Sequence, residues 1–248
     1  MTEPGVTPDS TRVWGRRYGG RFAAVVIAAA LLAPAVSGCA SAKSASPQSL
    51  LSSAKSTLDS TSAAHFTLSS TNATTSGGTT ITGGEGDVQR PNKLRGSLDV
   101  IVNGFKAQVK VVAIGDQVFA ELPFSTKFSK IDPSTFGLGN PGQLLDPQKG
   151  LSSLLSAATG AKVTGQQRIN GELVDLVSAD VPGSSVPVLP DADPSVPVRM
   201  LAAINPDNHQ LRQVTLTGPF IKAGAESTFV VTLTSYGENV QIAPPSGG

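Results

Sequence analysis

From Leu94 to Leu122 apolar and polar residues alternate almost without a break. Two dipeptides suited to two-residue turns, Asn103-Gly104 and Gly115-Asp116, divide the stretch into three strands. Turns this short leave no freedom in register. Val102 must face Phe105, Val100 must face Ala107 and Leu98 must face Val109; beyond the second turn Ala113 faces Val118 and Val111 faces Ala120. One face then carries Leu98, Val100, Val102, Phe105, Ala107, Val109, Val111, Ala113, Val118, Ala120 and Leu122, with no charge among them. The other carries Asp99, Asn103, Lys106, Gln108, Lys110, Gln117 and Glu121, with Ile101, Val112, Ile114 and Phe119 interspersed. The pattern predicts an antiparallel sheet with one face turned away from water.

The rest of the chain reads as further strands and a few helices. Pro47 to Ser60 places Leu50, Leu51, Ala54 and Leu58 on one helical face, with Ser46 as cap and Pro47 in the first turn. Ala64 to Ser70 alternates as a strand, Thr71 to Gly78 is a loop, and the glycine-rich stretch holding Glu85 and Asp87 reads as a solvated edge. A helical insert follows between about Asp132 and Ala158. Asp146-Pro147 should start its main helix, with Gly150, Leu151, Leu154, Leu155 and Ala158 on the buried face. Strands resume at Lys162–Ile169 and Leu173–Val181 around Asn170-Gly171, where neither parity is clean. Five prolines make 182–197 an irregular loop, and Val198–Ala203, Leu211–Gly218 and Ser227–Ser235 supply the last strands. Strands, a helical insert and more strands make an α+β domain, with helices laid on one face of a curved antiparallel sheet.

The amino terminus follows other rules. Arg12, Arg16, Arg17 and Arg21 precede an apolar run of 15 residues from Phe22 to Val36, and Val36-Ser37-Gly38-Cys39 closes it. A basic region, a short apolar region and small residues before a cysteine form a secretory signal of the bacterial lipoprotein type. The run is too short to span a bilayer comfortably, which disfavours the alternative of Cys39 inside a membrane helix. Cleavage before Cys39 would leave its thiol to carry a diacylglycerol anchor. The expected organisation is a signal peptide at 1–38, a flexible tether at 39–47, one domain at 48–243 and a frayed tail at 244–248. Cys39 is the only cysteine, so the exported domain has no disulfide and no thiolate metal site.

Charge and motifs remove several functions. The four arginines are the only basic residues before position 39, and Glu3 and Asp9 the only acids, so 15 basic side chains face 16 acidic ones afterwards. A net charge of about −1 gives no electrostatic footprint for nucleic acid. There is no Gly-x-Ser-x-Gly elbow, no phosphate-binding glycine loop and no histidine pair at metal spacing. His65 precedes a strand and His209 sits in a turn, and neither has a nucleophile at a recognisable spacing. Catalysis, metal and cofactor are therefore not expected. What remains is the uncharged face, which either closes on a packed core or encloses a hollow; composition does not choose between them.

Several segments together resemble the mycobacterial LppX/LprG lipoprotein family. They are the cysteine motif at Cys39, Ser62-Ala63-Ala64-His65-Phe66-Thr67-Leu68, Ile114-Gly115-Asp116-Gln117-Val118-Phe119-Ala120, the insert from Leu144-Leu145-Asp146-Pro147 through Gly150-Leu151 to Leu154-Leu155, Ile169-Asn170-Gly171, His209-Gln210-Leu211 and Tyr236-Gly237-Glu238. The resemblance implies a half-barrel sheet with helices packed on its concave face, enclosing a hydrophobic cavity for acyl chains. By position it implies a lining of Leu98, Val100 and Val102, to which the register adds Val109, Val111, Val118 and Ala120, under a lid of Leu151, Leu154 and Leu155. It further implies a lipoprotein held by Cys39 on the outer face of the cytoplasmic membrane. Its partners would be di- or triacylated lipids or glycolipids, with an envelope transporter as a further candidate. Where family members often carry tryptophan, this chain has Ala202 and Tyr236. A reading from another class stays open: an accessory or scaffold lipoprotein that docks on an envelope transporter or enzyme and has no cavity.

Overall fold

The computed structural model describes residues 45–73, 78–136, 138–186, 196–222 and 225–245. The expected signal peptide, Cys39, six of the nine residues of the tether, most of the proline-rich loop and the last three residues of the tail lie outside them. Contacts divide the chain after Lys43, and the compact unit Ser44–Gly248 carries every element described here.

Helix α1 (Pro47–Ser60) forms where the pattern places it. The Ser46 hydroxyl accepts the Ser49 N–H, Pro47 occupies the first turn, and Leu50, Leu51, Ala54 and Leu58 are buried. Its end is satisfied by a side chain: the Arg90 guanidinium donates to the carbonyls of Leu58 and Thr61 at 3.1 and 2.9 Å. Six strands follow: β1 (Ala63–Thr71), β2 (Thr79–Gln89), β3 (Lys93–Val102), β4 (Phe105–Ile114), β5 (Gln117–Glu121) and β6 (Ser129–Ile131). Two 3-10 turns (Pro133–Phe136, Pro141–Leu145) and α2 (Leu151–Ala157) interrupt them. The chain then adds β7 (Thr159–Ile169), β8 (Glu172–Pro182), β9 (Pro197–Ile204), β10 (Leu211–Lys222) and β11 (Ala225–Thr234).

All eleven strands described lie in one antiparallel sheet, ordered β6-β5-β4-β3-β2-β1-β11-β10-β9-β8-β7. It consists of two meanders, β1–β6 and β7–β11, joined where β1 pairs with β11. Around the two short turns the register is the expected one, with Val102 opposite Phe105, Leu98 opposite Val109 and Ala113 opposite Val118. Asn103 and Gly104 both have positive φ, as a type I′ turn requires. The main core lies between this sheet and the helices on one of its faces. A small cluster of Val112, Phe119 and Ile242 sits on the other, where residues following the last strand cross back over β4 and β5.

Three expectations need correction. The glycine-rich stretch around Glu85 and Asp87 is not an edge but interior strand β2; glycines at 83, 84 and 86 remove the side chains that would have shown an alternation. The main helix of the insert starts at Leu151, not at Asp146-Pro147. The Asp146 carboxylate accepts the N–H groups of Gln148 and Lys149, and its carbonyl accepts that of Gly150, so these residues close a separate turn first. The uncharged face is also not buried throughout: Val102, Phe105 and Leu122 are exposed, because the lid stops short of the β3–β4 turn. The mixed parity of β7 has a local cause in register shifts at 159–162 and 163–165, where Gly165 has a φ of +147°.

Candidate functional site

On the helix-bearing face an apolar cavity lies between β1–β6, β10 and β11 and the insert. Its floor is made by Phe66, Leu68, Ile81, Leu94, Leu98, Val111 and Val118, and its far wall by Leu216, Phe229 and Val231. Over it lie Ile131, Pro133, Phe136, Leu138, Pro141, Leu144, Leu151 and Val186. No charged side chain is among the lining residues, and Ser97 is the only polar one. The empty space amounts to about 1070 Å³ with the open mouth and its solvent included. Ile131 on β6 and Leu216 on β10 are seven strand spacings apart, which would be about 34 Å in a flat sheet. Both border this one hollow because the sheet curves around it.

Glycines leave part of this face without side chains, and one of them, Gly96, borders the hollow. Counting by two from buried Val88 puts Gly86 and Gly84 on the same face, and counting from Leu94 puts Gly96 there. Gly86 and Gly96 are cross-strand partners. A Cβ on Gly86 would lie 2.4 Å from the Arg95 carbonyl oxygen, and one on Gly96 would lie 2.3 Å from that of Glu85. The backbones of β2 and β3 therefore approach as only glycine allows. Sequence reasoning passed over these glycines. Their spacing at 84, 86 and 96, in phase with Val88 and Leu98, was the available signal.

The lid is fixed by polar contacts outside the hollow. Asn140 Nδ2 donates to the Gly115 carbonyl at 2.7 Å while its Oδ1 accepts the Gly142 N–H at 2.9 Å, tying the second 3-10 turn to the β4–β5 turn. Leu151, Leu154 and Leu155 share the main core with Leu50, Leu51 and Leu58 of α1. Asp59 stands at this helix pair. Burial alone would raise its carboxyl, but the hydrogen bond from Lys55, the neighbouring Ser152 hydroxyl and the charges of Lys55 and Arg90 outweigh that and hold it below its ordinary 3.8.

Of the ten residues expected in the lining, Leu98, Val111, Val118 and Leu151 border the cavity. The other six lie around it. Val109 packs partly buried against the same core, Val100 and Ala120 are buried beside it, and Leu154 and Leu155 point into the contact with α1. Val102 stands beyond the lid at the β3–β4 turn, 39% exposed. Strand parity is shared by residues along the whole face, whereas the hollow occupies only the part the insert covers. Cys39 lies outside the described residues.

The remaining titratable groups do not face the hollow. His65 Nδ1 is 2.8 Å from Asp87 Oδ1 across β1 and β2, and Asp87 also takes a hydrogen bond from Arg95. Glu238 lies near that pair; burial, with the Asp87 charge adding to it, raises its carboxyl. At the β7–β8 turn end Arg212 forms a two-pronged bond to Glu172, both contacts 2.7 Å, and lies over the Tyr236 ring. Tyr236 donates to the Leu211 carbonyl, and burial pushes its hydroxyl up against the opposing pull of Arg212. Ala202 is fully buried in the main core.

Residues 46–242 match the model of the LppX_LprAFG lipoprotein family, a span that takes in the whole sheet, both helices and the lid. The chain belongs to this family. The lipoarabinomannan carrier protein LprG of Mycobacterium tuberculosis is 26% identical over 157 residues, which are 62% of this chain and 64% of that relative. The protein of the same name from Mycobacterium leprae is 26% identical over 152 residues, 60% of this chain and 61% of the relative. Among solved structures the chain is similar in fold to the lipoprotein LppX of Mycobacterium tuberculosis, with a TM-score of 0.59 at 19% identity over 79% of this chain and 98% of the other. LprF from Mycobacterium bovis gives a TM-score of 0.61 at 16% identity, over 81% of this chain and 97% of the other. An antiparallel sheet with helices across one face is thus a fold that the family shares.

Proposed function

We propose that this protein binds the acyl chains of di- or triacylated lipids or glycolipids in its apolar cavity and carries them from the cytoplasmic membrane towards the outer envelope. The observation that carries this reading is a cavity of about 1070 Å³, mouth included, with no charged residue in its lining. A carrier need not prefer such chains to a bilayer, since transfer between apolar phases is nearly neutral. It has to hide them from water, and each methylene left wet costs roughly 0.8 kcal/mol. The reading includes an acylated Cys39 that holds the protein on the outer face of the cytoplasmic membrane, no catalytic step, and Leu98, Val111, Val118 and Leu151 as lipid contacts. The name of the LprG relatives, a carrier protein, supports it.

Organic extraction of the protein purified from its host, followed by mass spectrometry, tests the proposal. Bound acylated lipid is expected. Leu98→Trp should fill the hollow and abolish uptake of a fluorescent fatty acid while the circular dichroism stays unchanged. A protein that yields no lipid and takes up none would instead be a scaffold.

A further inference from the structure

Six large hydrophobic side chains stand exposed among the described residues, and four of them, Val102, Phe105, Leu122 and Phe124, belong to one end of the sheet. Val102 and Phe105 flank the β3–β4 turn and oppose each other. Glu121 of β5 opposes Lys110 of β4, so the chain leaving β5 runs along β4 towards that turn and brings Leu122 and Phe124 with it. Phe105 is 78% exposed, and Phe124 is fully exposed on a backbone with a φ of +68°, a conformation that aromatic residues rarely adopt. Neither ring is covered by the fold.

This apron continues the cavity floor. Counting by two along β3 and β4 leads from Val102 and Phe105 through Val100 and Val109 to Leu98 and Val111, and the last two line the hollow. The flanking charge is basic. The ammonium groups of Lys106, Lys127 and Lys130 make no hydrogen bond or ion pair with any described residue. Of the acids nearest in this register Glu121 is paired with Lys110, Asp99 accepts from Gln108 and Asp132 accepts from Ser134, so four lysines (Lys106, Lys110, Lys127 and Lys130) face three carboxylates. Exposed aromatics beside free lysines, on the same apolar face as the hollow, suit a surface that is oily inside and negatively charged outside.

We infer that this end of the sheet is the surface by which the protein docks on an anionic bilayer, with Phe105 and Phe124 entering the headgroup region between Lys106, Lys127 and Lys130. A chain then passes from bilayer to hollow along the apolar strip of Val102, Val109 and Leu98 that joins this end to the cavity floor. The inference rests on the acyl-chain reading of the cavity for its purpose, though not for its geometry.

Flotation of residues 45–248, the unit that holds the complete sheet and its core, with vesicles of phosphatidylcholine alone or mixed with phosphatidylglycerol tests the docking. Binding to the anionic vesicles that weakens with added salt is expected. The double variant Phe105→Ser/Phe124→Ser should lose roughly tenfold or more in partitioning, and the triple variant Lys106→Gln/Lys127→Gln/Lys130→Gln should lose its preference for phosphatidylglycerol. In both, uptake of a fluorescent fatty acid from free solution should match the parent. Parental protein that takes up fatty acid but does not float, or a double variant that floats as the parent does, overturns the docking surface while sparing the cavity. Failure to take up fatty acid while floating normally overturns the acyl-chain reading instead.

Discussion

The two wings of the sheet are built from the same alternation of apolar and polar residues, yet one is hollow and the other filled. Over β8–β10 the 14-residue helix α1 lies directly on the strands, and its leucines meet Val177, Met200, Ala202, Leu211 and Val214 in a closed core. Over β2–β4 the cover is a 3-10 turn of five residues, and the floor beneath it has glycine at 84, 86 and 96. A helix delivers a side chain to the sheet every turn, and the short turn delivers only Leu144 and Leu145. A uniform apolar face therefore says where a core can form. How full it becomes depends on what is laid across it and how much side chain the floor retains.

The strongest way to break this contrast is to give the floor a side chain. Gly86→Val should destabilise the protein by about 3 kcal/mol or more, read as a large fall in thermal midpoint, because the new Cβ meets the backbone of β3 at 2.4–2.6 Å. A midpoint within a few degrees of the parent would refute the close-approach account. Next come two leucines on one helix. Leu154→Ala, in the filled contact with α1, should cost about 4 kcal/mol, whereas Leu151→Ala, beside an existing void, should cost about 2, near the two ends of the usual range. Equal losses in urea unfolding would mean that the wings are equally well packed.

A smaller effect concerns pH. Asp59 is held below its ordinary 3.8 in the folded protein, so its contribution to stability is present above that value and is lost as pH falls through the lower folded one. Unfolding free energy should therefore decline with acid below about 4, and Asp59→Asn should flatten that decline; an unchanged slope would rule out the contacts with Lys55 and Arg90 as its source. No titratable side chain lines the cavity, so uptake of an acyl probe with no ionisable headgroup should be unaffected over any pH at which the fold persists. Smallest of all, Lys110→Ala removes a surface pair with Glu121 and should shift stability by no more than about 0.5 kcal/mol in the same unfolding assay.

Much of the scaffold was legible before any coordinates, for identifiable reasons. Asn103-Gly104 fixed the pairing of β3 with β4 because a two-residue turn has one register. Ser46 and Pro47 marked the start of α1 to the residue because capping and the proline ring act within one turn. β2 was missed because glycine has no side chain to alternate. The insert helix was placed five residues early because Asp146 serves a turn as readily as a helix start. Four of the ten expected lining residues border the cavity; Val100, Val102, Val109 and Ala120 share its face but not its position along the strands, and Leu154 and Leu155 of α2 share the core with α1.

By itself the sequence determined which residues pair across the β3–β5 hairpins, which face of the sheet avoids water and where the first helix begins. Each of these depends on neighbours a few residues apart, through turn geometry, two-residue parity and capping. Only the tertiary structure decided that Gly86 meets Gly96, that the insert shelters one wing and leaves Phe105 beyond it, and that the sheet curves enough to bring Ile131 and Leu216 around one hollow. Those features depend on volumes supplied by segments far apart in the chain, and parity along a single strand carries no record of them.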